Sequence, residues 1–174
     1  APTQLFHYNS IQKTIETYLQ RPHFVDQLLL PRKKYPGYYS DIQDASAFST
    51  FKIDQADSTP FTKESPFNIL LSLFLDWFQL YDNNAQDVGG IYATIQNLWP
   101  SERHLAHNTL TLGILNGPNE TSFLHINHYL DLIVKELQVL QQGVMMRTCY
   151  GQDVLVKICV NHYQGDLPAI RKVS

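Results

Sequence analysis

Phe67 to Leu75 reads F-N-I-L-L-S-L-F-L, a nearly unbroken apolar run. A run so short and so apolar suits a strand buried on both faces, which requires a sheet with other elements packed against it. The segments downstream supply such elements. Val88 to Ile95, with Gly89 and Gly90 inside it, reads as a second strand. Thr109 to Leu115 is β-branched and apolar and reads as a third, closed by Asn116-Gly117-Pro118. Ile126, Leu130, Ile133, Leu137 and Leu140 recur at alternating steps of four and three, one face of a helix over residues 125–142. Asp131 and Lys135 form an i,i+4 pair on it, and Gly143 stands beyond its end. Val144–Thr148 and Val154–Tyr163 flank Gly151-Gln152 and predict a hairpin whose second arm is a fourth core strand.

Composition changes near residue 60. Before it, Ile11, Ile15, Tyr18 and Leu19 fall at helical spacing, with Ser10 as N-cap. A second short helix is expected over Phe24 to Leu30, ended by Pro31, then Arg32-Lys33-Lys34 and a turn at Pro36-Gly37. Asp54 to Pro66 is mostly polar with two prolines and reads as a linker. The expected organisation is therefore an N-terminal helical and loop segment, 1–60, and a larger domain, 61–174.

The chain has 174 residues, 44% hydrophobic and 17% charged, enough apolar material for a sizeable core. A net charge of −3 and a pI near 6.1 lack the basic footprint of a strong non-specific DNA binder, although a local basic patch can sit on an acidic whole. Cys149 and Cys159 form no C-x-x-C pair, so the expectation is two buried, reduced thiols in an intracellular protein. No apolar stretch is long enough to span a membrane. The missing initiator Met and terminal signals lead to the expectation of a piece cut from something longer.

The order strand, strand, strand, helix, strand is that of an α/β, ribonuclease H-like core, here incomplete. Such a core has a mixed sheet in which the fourth strand runs parallel to the first, and here a small helical segment precedes it. Asp76 follows the first predicted strand and Asp166 the fourth. Ligands gather beyond the carboxyl ends of strands in open sheets, and neighbouring strands lie about 4.8 Å apart. Two carboxylates so placed can share divalent ions about 3.5–4 Å apart. Magnesium suits them, since it takes oxygen ligands and keeps waters. The plainer reading of an aspartate after a strand is a turn former or helix cap.

Five further motifs give those two residues a context. They are S-L-F-L-D-W-F-Q-L-Y (72–81), I-Y-A-T-I-Q-N-L-W-P (91–100), L-G-I-L-N-G-P (112–118), the helix from Ile126-Asn127-His128-Tyr129-Leu130 to Leu137, and Asp166-Leu167-Pro168-Ala169. In this order they resemble the catalytic region of CACTA-type (En/Spm-like) transposases and the related Kyakuja–Dileera–Zisupton elements. The resemblance runs from Pro66 to Ser174 and is weak before it. Leu80, Asn116 and Gly165 depart from the family pattern without touching the carboxylates.

The resemblance implies that Asp76 and Asp166 are the first two catalytic, metal-binding carboxylates of a DDE-type transposase. It implies Mg²⁺ or Mn²⁺ as cofactor, transposon-end DNA and a second copy of the chain as partners, and a nuclear location in a eukaryotic host. The third acidic residue of such a site belongs on a later helix. The expectation is weak metal binding and no strand transfer by these 174 residues alone. An alternative from another class is a transposon-derived module that binds nucleic acid or protein without chemistry. A ribonuclease H-like nuclease unrelated to transposition is a third.

Other constellations are less pointed. Arg32, Lys33 and Lys34 beside Tyr35, Tyr38 and Tyr39 have the composition of a backbone grip with stacking rings, or of a solvated loop. Arg171 and Lys172 could hold a phosphate near the carboxylates, and Trp77 could line a groove or cover the core edge. His104 with His107, and His125 with His128, are each three apart. Zinc needs three or four ligands and no cysteine is close in sequence, so surface or capping roles are the simpler reading. His162 precedes Asp166 and reads as a strand-end residue.

Overall fold

The computed structural model describes residues 6–31, 37–54, 56, 59–79, 87–116 and 123–164. Six strands form one mixed sheet: β1 (His7–Tyr8), β2 (Asn68–Gln79), β3 (Asp87–Ile95), β4 (Thr109–Asn116), β5 (Val144–Arg147) and β6 (Asp153–Gln164), in the order β1-β4-β3-β2-β6-β5. β2, β3 and β4 are successive antiparallel neighbours. The chain then passes through helix α6 (Phe123–Gln142), and β6 returns parallel to β2. The expected adjacency of the first and fourth core strands is therefore present. The expected hairpin is also present, as β5 paired antiparallel to β6.

Packing follows the two-residue period of the strands. Ile69, Leu71 and Leu75 of β2, Ile91, Ala93 and Ile95 of β3, Leu110 and Leu112 of β4, and Val156 and Ile158 of β6 line one face. Onto this face pack α1 (Ile11–Leu19), through Ile11, Ile15 and Leu19, and α6, through Ile126, Ile133 and Leu140. Leu130 and Leu137 of the predicted stripe are only partly buried, at its margin.

Ser10 caps α1 as predicted: its Oγ accepts from Lys13 N–H at 3.2 Å. The same hydroxyl donates to Glu136 of α6 at 2.5 Å. Glu136 also accepts from the backbone N–H groups of Ile11 and Gln12, each at 3.0 Å, and from the Tyr8 hydroxyl. A carboxylate aimed at orphan N–H groups and at the positive end of a helix ties α1 to α6.

Three features depart from the sequence expectation. α2 starts at Pro22, running to Leu29, because proline suits the first helical turn, where its missing N–H costs nothing. The expected linker at 54–66 contains a helical turn, α4 (Phe61–Glu64), whose Phe61 is 2% exposed. Polar neighbours hid that single anchor. Lastly, β2 continues to Gln79, so Asp76 does not follow the strand but lies inside it, paired with Gly90.

The opposite face of the sheet is covered at one end by three phenylalanines of the segment before β2. Phe48 of α3 (Ser46–Ser49), Phe51 and Phe61 pack on Leu70 and Cys159. The cover is pinned by a buried ion pair, Arg103–Asp41 at 2.8 Å, in which Arg103 comes from α5 (Pro100–Arg103). Arg103 also donates to the carbonyls of Gln96 and Leu98, which Gln43 contacts as well.

Candidate functional site

Alternate residues of β2 divide between the two faces. Leu71, Leu75 and Trp77 face α1 and α6, while Leu70, Ser72, Phe74, Asp76 and Phe78 face away. Trp77 is partly buried in the main core, so it does not share a surface with Asp76. Phe78, at 41% exposure, does.

Three rows cross the outward face. Thr94, Ser72 and His162 form the first, and Tyr92, Phe74 and Gln164 the second. Gly90 and Asp76 begin the third. The first row is buried at Thr94 and Ser72 and partly buried at His162. Ser72 is 0% exposed, and its hydroxyl has no hydrogen-bond partner among the described residues. Burial, and then the positive charge of Arg103, lower the His162 imidazole below its usual value. Its ring nitrogens lie 2.8 Å from Asn161 Oδ1 and 3.0 Å from Gln164 Nε2. His162 is thus an anchored side chain.

The rows open toward Asp76, which is exposed. Phe74 and Tyr92 stack beside it, with ring centroids 5.2 Å apart and planes 23° from parallel. A Cβ at Gly90 would lie 2.2 Å from the Tyr92 hydroxyl oxygen, so the tyrosine ring rests on the glycine directly across from Asp76. Sequence reasoning noted the two glycines only as part of a strand. A glycine inside a strand signals close approach by another group, and here that group is an aromatic ring.

The remaining candidates divide plainly. Asp166, Arg32, Lys33, Lys34, Arg171 and Lys172 lie outside the described residues, as does the side chain of His125. His104, His107 and His128 are exposed, and His23 pairs with Glu102 at 3.3 Å. Among the described residues, no three His, Cys, Asp or Glu side chains converge as a metal site. Both cysteines are free. Cys159 is buried, which pushes its thiol up to about 11, while Cys149 is only partly buried. Among the described residues, no helix is long and apolar enough to cross a membrane.

Asp76 offers one exposed carboxylate, an oxygen donor of the kind a hard divalent cation takes, on a strand neighbouring β6. Asp76 is the one predicted metal ligand among the described residues. Comparison with known proteins finds no matching protein family, no matching curated protein and no matching solved structure.

Proposed function

We propose that this chain carries part of the carboxylate site of a DDE-type DNA transposase, at Asp76 and Asp166, on a ribonuclease H-like core. One observation carries the reading. β2 and β6 are parallel neighbours whose last described pair is Phe74 with Gln164. Asp76 and Asp166 each come two residues further along the sequence from that pair. The strand order β4-β3-β2-β6, two antiparallel pairings followed by a parallel one, agrees with that core.

In this reading Asp76 holds Mg²⁺ or Mn²⁺ through oxygen. A divalent ion so held supplies an activated water or hydroxyl nucleophile and stabilises the leaving oxygen of a phosphodiester. β2 contributes rigidity, since Asp76 is paired on the β3 side and sits in a strand anchored by the core. The exposed ring of Phe78 offers apolar surface on the substrate side. Complete strand transfer is proposed only for a chain that also bears the third acidic residue. Transposon-end DNA, self-association and a nuclear location belong to the same proposal. A second reading, a binding module that keeps the fold without the chemistry, draws on the lack of a three-ligand cluster among the described residues.

Mn²⁺ titration into the 174-residue chain and into Asp76→Asn and Asp166→Asn decides between them, beside a nicking assay on supercoiled DNA. Weak binding lost in both variants, with no strand transfer, is the expected result. Binding unchanged in both removes the two aspartates from any metal site.

A further inference from the structure

A cleft of about 430 Å³ opens between the C-terminal end of α2 and the short helices α3 and α4, whose phenylalanines cover Leu70. That volume lies within the range of sites that enclose small molecules. Leu28 and Phe48 give it a buried apolar floor. Leu29 and Leu30 line it too, 47% and 49% exposed, and are apolar surface that a ligand would take out of water. The polar groups of the lining differ in what they already hold. Asp44 is committed: its carboxylate accepts from the N–H groups of Ser40 and Asp41, at 2.8 and 3.0 Å, and from the Ser40 hydroxyl at 3.1 Å. Gln43 is committed to the carbonyls of Gln96 and Leu98. Lys63 is exposed, and among the described residues its ammonium has no ion pair or hydrogen bond. Gln27 has a buried Oε1 with no hydrogen-bond partner among the described residues. Holding no bond there, that amide can turn toward the cleft without losing one. The main chain adds to the same end. In a continuing helix the Gln27 carbonyl would accept from residue 31, and Pro31 has no N–H to give.

We propose that this cleft binds an acylated apolar amino acid, either free or as the C-terminal residue of a peptide. Three parts of such a group answer three features of the lining. Its carboxylate pairs with Lys63, the uncommitted cation, in a charge-assisted contact. Its amide N–H donates to Gln27, the uncommitted acceptor. Its aliphatic side chain lies on Leu28 and Phe48 and shields Leu29 and Leu30 from water. Asp76 does not line the cleft, so the site owes nothing to the carboxylate reading above.

The test is titration of N-acetyl-leucine into the whole isotope-labelled chain, followed by amide NMR shifts, which also report whether each variant is folded. A dissociation constant of about 1 mM is expected for a ligand of this size. N-acetyl-leucinamide lacks the carboxylate and isocaproate lacks the amide, and each should bind about tenfold more weakly. Lys63→Gln should weaken N-acetyl-leucine about tenfold and leave N-acetyl-leucinamide unchanged, an outcome that general loss of structure would not produce. Ser49→Phe, or Thr62→Phe should that variant not fold, fills the cleft and should abolish binding. A short peptide ending in Leu that binds more tightly than N-acetyl-leucine assigns the peptide as the source, and equal or weaker binding assigns the free acid. No uptake by the wild type at about 10 mM, or binding that survives the filled cleft, overturns the site. If N-acetyl-leucinamide or isocaproate binds as well as N-acetyl-leucine, the ligand chemistry assigned to Lys63 or to Gln27 falls.

Discussion

The two faces of the sheet are built from alternate residues of the same strands, yet they differ in kind. The face under α1 and α6 is continuous and apolar, with Ile11, Ile15, Leu19, Ile126 and Leu140 at 0% exposure. The other face grades along β2 from buried Leu70, under Phe48 and Phe61, through buried Ser72 beside partly buried His162, to exposed Asp76 and Phe78. A strand rigid on one side and graded on the other can hold a carboxylate in water without loosening the fold. The contrast separates residues that stabilise from residues free to act.

Breaking the cover of the outward face should have the largest effect. Arg103 and Asp41 are each 7% exposed at the side chain and pin the cover that puts Phe48 and Phe61 over Leu70. Asp41→Ala leaves a buried guanidinium unpaired and should cost about 3–5 kcal/mol in chemical denaturation. Replacing both partners with apolar residues of similar size should cost much less. A single variant as stable as the wild type would mean that the cover does not depend on the pair.

The next comparison sets one residue of each face side by side. Ile133, 1% exposed, sits between α6 and the sheet, and Ile133→Ala should cost about 2–5 kcal/mol. Leu130→Ala should cost less, since that side chain is only partly buried. Phe78→Ala, on the open end of the other face, should stay within about 0.5 kcal/mol. Urea midpoints check all three. A Phe78→Ala loss as large as that of Ile133→Ala would show that something covers the Asp76 end in solution.

Much of the closed face was legible in the sequence and little of the open one. The helix stripe from Ile126 to Leu140, the Ser10 cap and the four core strands follow from periodicities that burial itself imposes. The end of β2 was misplaced because Asp76, Trp77 and Phe78 break the apolar run while the ladder to β3 continues: cross-strand pairing, not composition, ends a strand. The two-residue β1 was invisible, since its pairing with Gly113 and Ile114 depends on Phe6 and Tyr8 finding α6 far along the chain. Asp76 itself could be read as a candidate, but Tyr92 could not. Its place beside Asp76 depends on strand register and on Gly90 lacking a side chain.

An effect smaller than that of Ile133→Ala lies at the seam that holds the closed face together. Burial alone would raise the Glu136 carboxyl. Hydrogen bonds from Ser10, from Tyr8 and from the N–H groups of Gln12 and Ile11 outweigh it and hold the group below its usual value. Burial, reinforced by Glu136, raises the Tyr8 hydroxyl, so it stays protonated and keeps donating. A carboxylate with a depressed folded value stabilises fully above its unfolded value, about 4.3, and loses that contribution as pH falls through the folded one. The unfolded chain binds the proton first, so stability should decline with acid below about pH 5. Glu136→Gln keeps the shape but weakens a charge-assisted cap, and should cost about 0.5–2 kcal/mol at pH 7. The variant should also lose part of the acid-limb slope between about pH 5 and pH 3, because the group that titrates there is gone. Parallel urea titrations of both proteins across that range measure the difference. Identical slopes would mean that α1 is held to α6 by Ile11, Ile15 and Leu19 alone, with Glu136 adding nothing to the seam.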